Sequence, residues 1–423
     1  MPHSTENIYW NIFHKLIFRS VVVFVLLFII SFSFPHPPYI PDAGKYTSSY
    51  FEIVVKWCAS SIFKIDEAYT SQLVSDSTGL YIHSFILIVI SAIICGFWSI
   101  VDYNRKNYSV FQYWFIVIIR YYLALQLFYY GFNKVFKLQF YLPEPNTLFT
   151  TIGNISPDLM FWTSMGISRP YVIFTGILEI IAASLLLFKL TRLLGALIAA
   201  GVLINVVAIN FCFDISVKLY SCFLLLLSII LIAPDTKRII QFFLLNKSVI
   251  NNQNSGVPMC RSKKKYMYYL VSKIFLITYI LTAVLAEYVI ADNFNDDKAP
   301  RPLFHGAYDV NLFIKNQDTI APLMTDTYRW KRFFIHRRGY LITQSMNDEM
   351  QDYKLEYDTI NNQLLIQKYE DSKTEKLTYI QPNDSILVLN GKIDKDSLQI
   401  QMKKIPLEKL PLLQSSFHWT IDN

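Results

Sequence analysis

Long apolar runs separated by short polar connections occupy the first 291 residues of the chain. A hydrocarbon core about 30 Å thick requires about 20 residues of apolar helix, since each residue adds about 1.5 Å. Seven runs meet this requirement, and the sixth is the shortest. They predict membrane spans at 15–34, 80–101, 110–132, 171–190, 193–211, 219–233 and 266–290.

The first run also resembles the start of a secretory signal, because Lys15 and Arg19 precede the apolar segment VVVFVLLFII. Its apolar stretch is long, however, and PHPPYIP follows where a small-residue cleavage site would be expected. We therefore interpret it as a retained signal anchor.

Loop charges predict the orientation, since Lys and Arg are retained on the cytoplasmic side. With the N-terminus inside, every inner loop is basic, whereas the first outer loop, 35–79, holds three lysines against five acids. Seven spans then place the chain from Asp292 onward outside, in the periplasm of an inner-membrane protein. The inner cations are Arg105, Lys106, Lys189, Arg192, Lys237, Arg238, Lys247, Arg261, Lys263, Lys264 and Lys265.

After the polar, proline-containing segment NDDKAPRPLF the hydrophobic period changes to about two, which is typical of strands. Eight or nine short runs, from GAYDVNLFI to SFHWTI, alternate with turn residues such as PNDS and LNGKIDKD. They predict an antiparallel all-β sandwich or barrel. The opening G-x-Y-x-V is similar to lipocalins, but a filled core is favoured over a ligand cavity because strand number does not specify a hollow interior.

Composition agrees with this division. The chain is 53% hydrophobic and only 17% charged, below the quarter typical of soluble domains. Lys and Arg number 22 against 13 acids up to residue 291, and 17 against 19 beyond it. Because the basic excess lies among the spans, it indicates topology and the lipid bilayer as a partner, and no nucleic acid.

Several cofactor classes lack their sequence signals. The five cysteines form no C-x-x-C pair, so no metal cluster or thiol-disulfide chemistry is indicated, although Cys58 and Cys212 would share the outer side and could pair. His83 is the only histidine clearly inside a span, which argues against a bis-histidine haem. No P-loop is present, so ATP is not indicated.

Two ionisable residues fall near the centre of predicted spans, Arg120 in the third and Glu179 in the fourth. Charged groups at this depth are costly and are therefore functional candidates. Antiparallel neighbours would bring both to the midplane. One interpretation is a polar site for a quinone headgroup, a proton or a small anion, and the other is a fixed Arg120–Glu179 ion pair that sets the helix register.

A second polar cluster is predicted toward the outer ends of the same spans. Its members would form a vestibule lined with cations and amides, suited to an anionic or quinone-like ligand. The alternative is that the lysines extend to lipid headgroups and that the amides bond across helices. The candidates are Lys134, Asn205, Asn210, Asp214 and Lys218.

The stretch from about Arg120 to Asn246 resembles the DoxX family of small membrane proteins, through YYGFNKVF, TGILEIIAASLLLF, the R-x-x-G turn from Arg192 to Gly195, NVVAINFCFDISVKLYS and LIAPDTKRI. The whole chain is similar to the longer Bacteroidetes-type form with a C-terminal β domain. The resemblance implies a four-helix membrane bundle and a quinone-facing or redox-associated role, since members include the membrane subunit of a thiosulfate:quinone oxidoreductase. The two additional N-terminal spans, the seventh span and the β domain depart from the short family form.

The predicted architecture is therefore an α-helical polytopic membrane bundle followed by an all-β domain. Its segments are two spans with a long outer loop (1–109), a DoxX-like bundle (110–246), a basic loop with the seventh span (247–291) and a β-rich domain outside the cytoplasm (292–423). The first functional hypothesis is a redox-complex subunit that requires a quinone or a partner protein. The second is a scaffold or small-molecule transporter whose β domain binds a membrane or periplasmic partner.

Overall fold

A computed structural model describes residues 10–31, 43–66, 75–248, 263–290, 295–369, 373–414 and 419–420. By compactness the chain divides into a helical unit, Met1–Val135 with Phe174–Ala291, and a barrel unit, Phe136–Ile173 with Asp292–Asn423. The segment between the third and fourth spans therefore groups with the C-terminal domain and not with the bundle.

Within the described residues, seven helices are long and apolar enough to cross a membrane, which confirms the predicted helical bundle. The sixth continues past Ala233, because Pro234 occupies the start of a new turn, where a missing N–H costs nothing. The helices are α1 Ile12–Ser31, α2 Ala43–Cys58, α3 Thr78–Val101, α4 Ser109–Val135, α5 Pro145–Leu148, α6 Pro157–Gly166, α7 Arg169–Leu186, α8 Arg192–Cys212, α9 Lys218–Ile232, α10 Thr236–Phe243 and α11 Lys263–Ile290.

Helix α4 forms the centre of the helical unit. Its most apolar stretch is 61% buried, against 17–39% for the other six spans. Its buried side chains, among them Ile119, Leu123 and Leu127, belong to one core with residues of α1, α3, α7, α8, α9 and α11. A polar group on α4 therefore faces protein on most sides.

Helix α2 lies in the outer loop 35–79, where the sequence predicted no element. Val55 and Cys58 on α2 belong to a small core with Ile82 and Ile86 of α3. Cys58 and Cys212 are both free, so the bridge considered from sequence is not formed.

The strands form an antiparallel meander in which β1 also pairs with β9, from Ala307–Ile405 to Lys315–Leu398. This pairing closes β1 and β3–β9 into an eight-stranded barrel, which decides between the two predicted β architectures. The short β2 only extends the end of β1. The strands are β1 Gly306–Lys315, β2 Asp318–Thr319, β3 Trp330–Ile335, β4 Leu341–Ser345, β5 Met350–Asp358, β6 Gln363–Lys368, β7 Thr374–Asn383, β8 Ile386–Ile393 and β9 Asp396–Ile405.

Buried side chains from all eight barrel strands pack together, with Phe313, Phe333 and Ile400 fully inaccessible. The ninth predicted run, SFHWTI, lies largely outside the described residues. The segment 136–173 packs on this barrel through Phe149, whose ring stacks on Phe334 at 5.9 Å. Its polar anchor is Lys137, which lies 3.8 Å from Asp297 of the predicted linker.

Candidate functional site

Glu179 pairs with Lys134 and not with Arg120. Lys134 Nζ donates to Glu179 Oε1 at 2.5 Å, and both side chains are more than nine-tenths buried. The Arg120–Glu179 ion pair considered from sequence is therefore replaced by a pair between two residues that the sequence had assigned to different sites.

Two glycines explain why Lys134 of α4 lies opposite Glu179 of α7. A Cβ added at Gly176 of α7 would lie 2.6 Å from the carbonyl oxygen of Gly131 in α4, so the helices cross there at backbone contact. Residues 131–134 thus lie opposite 176–180. Arg120 lies 14 residues before Lys134, or about 21 Å along the helix axis at 1.5 Å per residue.

The remaining vestibule candidates organise the turn between α8 and α9. Asp76 accepts the backbone N–H groups of Lys218 at 2.7 Å and Leu219 at 3.1 Å, and thereby caps α9. Lys218 Nζ donates to Asp214 at 2.7 Å, and Asn210 donates to the Val217 carbonyl at 3.4 Å. These contacts hold the turn, and in the described residues none of them joins it to the Lys134–Glu179 pair.

Asn205 does not line the interior, because it lies on the exposed side of α8. A different polar link closes the bundle near Lys134, where the Tyr288 hydroxyl bonds to Asn133. Another lies within the core, where the Tyr122 and Tyr220 hydroxyls are 3.0 Å apart. The residues predicted to line one vestibule therefore take part in separate structural contacts.

Arg120 instead reaches a pocket at the end of the bundle where α4 begins and α7 ends. We call it the Arg120 pocket. It has a volume of about 320 Å³ and combines apolar walls from Ile116, Val117, Leu190 and Leu193 with polar groups. Its charged residues are Arg120, Lys189, Arg192, Asp235 and Arg238.

Asp235 forms ion pairs with two of these cations. It forms an ion pair with Arg192 and accepts from Arg238 Nη1 at 2.7 Å. The described lining of the pocket therefore contains four basic residues and one acid. At the ends of three helices, α7, α8 and α9, this excess creates a positive pocket in a partly apolar setting.

The guanidinium of Arg120 contacts an aromatic ring, but its hydrogen-bond donors are not all paired. It lies 4.8 Å from the Tyr121 ring, and the residue is 5% exposed. Its buried Nε has no hydrogen-bond partner among the described residues, and the same holds for Arg238 Nε. A buried donor left unsatisfied costs about 1–3 kcal/mol, so both groups favour an acceptor in the pocket.

Helix geometry explains how Arg120, twelve residues into α4, lines a pocket at its beginning. Side chains of a helix lean toward its N-terminus, and arginine extends its charged head toward the polar end of a span. Sequence reasoning identified Arg120 but missed Arg192, Asp235 and Arg238 as its neighbours. Their only signal was the pair of turn motifs, R-x-x-G and LIAPDTKRI.

Fold and pocket together define the class of the chain: a multi-pass helical membrane protein with an eight-stranded β-barrel domain. No protein-family model and no solved structure matches it. The chain is 35% identical over 133 residues to the uncharacterized protein YwoB of Bacillus subtilis (strain 168), across 29% of this chain and 79% of that protein. It therefore belongs to the family of YwoB, whose name assigns no activity.

Proposed function

We propose that this chain is a DoxX-like protein of the inner membrane whose helical unit binds the anionic headgroup of an amphiphile in the Arg120 pocket. The observation that carries the proposal is the pair of buried, unsatisfied guanidinium N–H groups of Arg120 and Arg238. Their natural partners are phosphate or carboxylate oxygens, which arginine binds with charge-assisted hydrogen bonds.

The orientation belongs to the same proposal: N-terminus in the cytoplasm and barrel unit in the periplasm. The sense of insertion rests on the basic inner loops, and two hydrogen bonds between loops support the alternation of sides, because each joins connections that this topology places on one side. Trp10 bonds to Lys106 at 3.1 Å on the inner side, and Asp76 bonds to Ser216 at 3.1 Å on the outer side. The Arg120 pocket then opens at the cytoplasmic leaflet, where basic pockets between helices bind anionic lipid headgroups.

The pocket lining favours an amphiphile over a small soluble anion. Apolar side chains of α4 and α8, such as Ile116 and Leu193, would contact an acyl or isoprenoid chain. The charge excess favours an anionic phospholipid over a neutral headgroup. Gln112 and Tyr113 are neutral donors in the same pocket, and they support a quinone as the second candidate.

The test is lipid binding by the purified full-length protein. Phosphatidylglycerol should be retained in preference to phosphatidylcholine, and Arg120→Gln should weaken retention about tenfold, the effect of one charge-assisted hydrogen bond. Arg105→Gln is the matched control, since Arg105 lies exposed at the same end but outside the pocket. Native mass spectrometry measures both.

Equal retention of the two lipids, or no difference between Arg120→Gln and the parent, would contradict the proposal. Retention of a quinone without phosphatidylglycerol would assign the pocket to the second candidate. The scaffold alternative makes a different prediction, namely a stoichiometric membrane partner that co-purifies whether or not Arg120 is present.

A further inference from the structure

The barrel unit contains a cleft of about 340 Å³ between three of its elements, which we call the barrel cleft. One wall is the segment leading into α5, the second is one face of α6, and the third is the turn between β3 and β4. Asp158 and Trp162 lie one helical turn apart on α6 and therefore point to the same side. The volume is within the range of small-molecule sites.

Three aromatic rings line the cleft, and each is fixed by a neighbour. Tyr340 stacks on His336 with ring centroids 4.0 Å apart, and Tyr141 carries the Arg337 guanidinium 4.1 Å from its ring. Trp162 packs against Phe140 at 4.8 Å. Rigid rings lose little freedom when a ligand binds, which favours recognition.

Glu144 lies behind these rings and is only 6% exposed. It forms an ion pair with Arg337, accepts the Arg337 backbone N–H at 3.2 Å, and lies 3.2 Å from His336 Nε2. Its charge is therefore compensated within the protein. Burial raises the pKa of Glu144.

His336 does not supply a free base to the cleft. Its Nδ1 accepts the Arg338 backbone N–H at 3.1 Å, which places the ring proton on Nε2, 3.2 Å from Glu144 Oε1. The lone pair of the neutral ring is thus engaged, and burial lowers the pKa of His336 to about 3. The chemistry indicates binding and not acid–base catalysis.

The charges that line the barrel cleft favour a cationic ligand. Among the described residues that line the cleft, two are acids, Glu144 and Asp158, and none is lysine or arginine. Asp158 is exposed in the first turn of α6. An aromatic lining next to an uncompensated carboxylate attracts cations, because the ring faces are negative.

We propose that the barrel cleft binds a small organic ammonium ion, free or as a lipid headgroup, between the rings of Trp162 and Tyr340 with Asp158 as its counter-ion. The inference is independent of the Arg120 pocket, which lies in the other unit. It adds a second ligand of opposite charge to the molecule.

Choline is the first probe, titrated into the full-length protein by calorimetry. Its control is 3,3-dimethylbutan-1-ol, which has the same shape without the charge. Saturable binding of choline and none of the alcohol is expected. Tighter binding of glycerophosphocholine than of choline would identify the lipid headgroup as the source, and the reverse a free ammonium compound.

Asp158→Asn should weaken choline binding about tenfold through loss of the counter-ion. Asp384→Asn is the matched control on an exposed hairpin outside the cleft and should bind like the parent. Trp162→Leu should abolish binding, whereas Trp162→Phe should retain part of it. Equal binding of the neutral alcohol, or unchanged choline affinity in a folded Asp158→Asn protein, would overturn the inference.

Discussion

Lys134 and Glu179 depend on each other, because each is a buried charge whose compensation is the other. Removing one partner leaves an unpaired charge and is expected to cost about 3–5 kcal/mol, whereas apolar replacement of both is often tolerated. We therefore expect Lys134→Met and Glu179→Leu each to destabilise the protein more than the double variant does. Thermal stability in detergent and accumulation in membranes measure this.

Arg120 provides the control for that pair. It lies about 21 Å from Lys134 along α4, and effects of residues more than about 10 Å apart usually add. Arg120→Gln combined with Glu179→Leu should therefore show no coupling. Strong coupling of Glu179 to Arg120, with none to Lys134, would contradict the Lys134–Glu179 pair and support the Arg120–Glu179 pair predicted from sequence.

His336 should give the barrel unit a pH dependence whose sign follows from its lowered pKa. Its pKa falls from 6.5 to about 3 on folding, so its contribution is complete above pH 6.5 and is lost as the pH falls toward 3. The slope is at most about 1.4 kcal/mol per pH unit. The raised pKa of Glu144 has the opposite effect, since it favours the folded state as the pH falls. The pKa of His305 is lowered to about 4, so His305 also reduces stability as the pH falls.

Comparison with His336→Gln isolates the effect, since glutamine keeps a polar N–H group at this position but does not titrate, while Glu144 and His305 are present in both proteins. The parent should lose stability relative to the variant between pH 6.5 and 4.5. Hydrogen-exchange protection of β3 and β4 in the full-length protein measures it. A difference that stays constant over this range would mean that His336 titrates normally.

At the scale of elements, the crossing of α4 and α7 rests on the absence of side chains at Gly131 and Gly176. A methyl group at Gly176 would lie 2.6 Å from a backbone oxygen and 2.9 Å from Lys134 Cβ, so the helices must separate. Overpacking of this kind costs about 1–3 kcal/mol. Gly176→Ala should accordingly lower the melting temperature and weaken the Lys134–Glu179 pair.

Gly201→Ala in α8 is the matched control, because a methyl group there meets nothing within 4 Å. Its higher helix propensity should make it neutral or stabilising by up to about 1 kcal/mol. If both variants melt alike, the two helices are not held at the distance described.

The elements themselves could largely be read from the sequence. Length and hydropathy identified the seven spans, and alternation identified eight strands of the barrel. Helix α2 was missed because its stretch is neither long nor apolar enough to read as a span. Closure of the barrel was not readable either, since pairing of Ala307 with Ile405 joins positions far apart in the chain.

The site was less predictable than the elements. Span boundaries from hydropathy do not fix how far two helices are displaced along each other. This displacement makes Lys134, and not the predicted Arg120, the partner of Glu179. Arg192 and Asp235 meet across two separate turns, and no local pattern shows such a contact. The residues of the barrel cleft come from three distant segments for the same reason.

At the scale of the whole molecule, four candidate spans, α7, α8, α9 and α11, separate the connection after α4 from the chain after α11, so both lie on the same side. Their association in one compact unit requires this. Lys137 and Arg169, at the two ends of that connection, both pair with Asp297, which follows the seventh span. An odd number of crossings between them would separate these residues across the bilayer.

The most direct test of the account is therefore the side of the membrane on which the chain emerges after α11. Alkaline phosphatase fused after Asn423 should be active, because it folds only outside the cytoplasm, and green fluorescent protein fused there should be dark. Both reporters fused after Arg105 should give the reverse. Fluorescence after Asn423 together with inactive phosphatase would contradict the predicted seven crossings and the proposed cytoplasmic position of the Arg120 pocket.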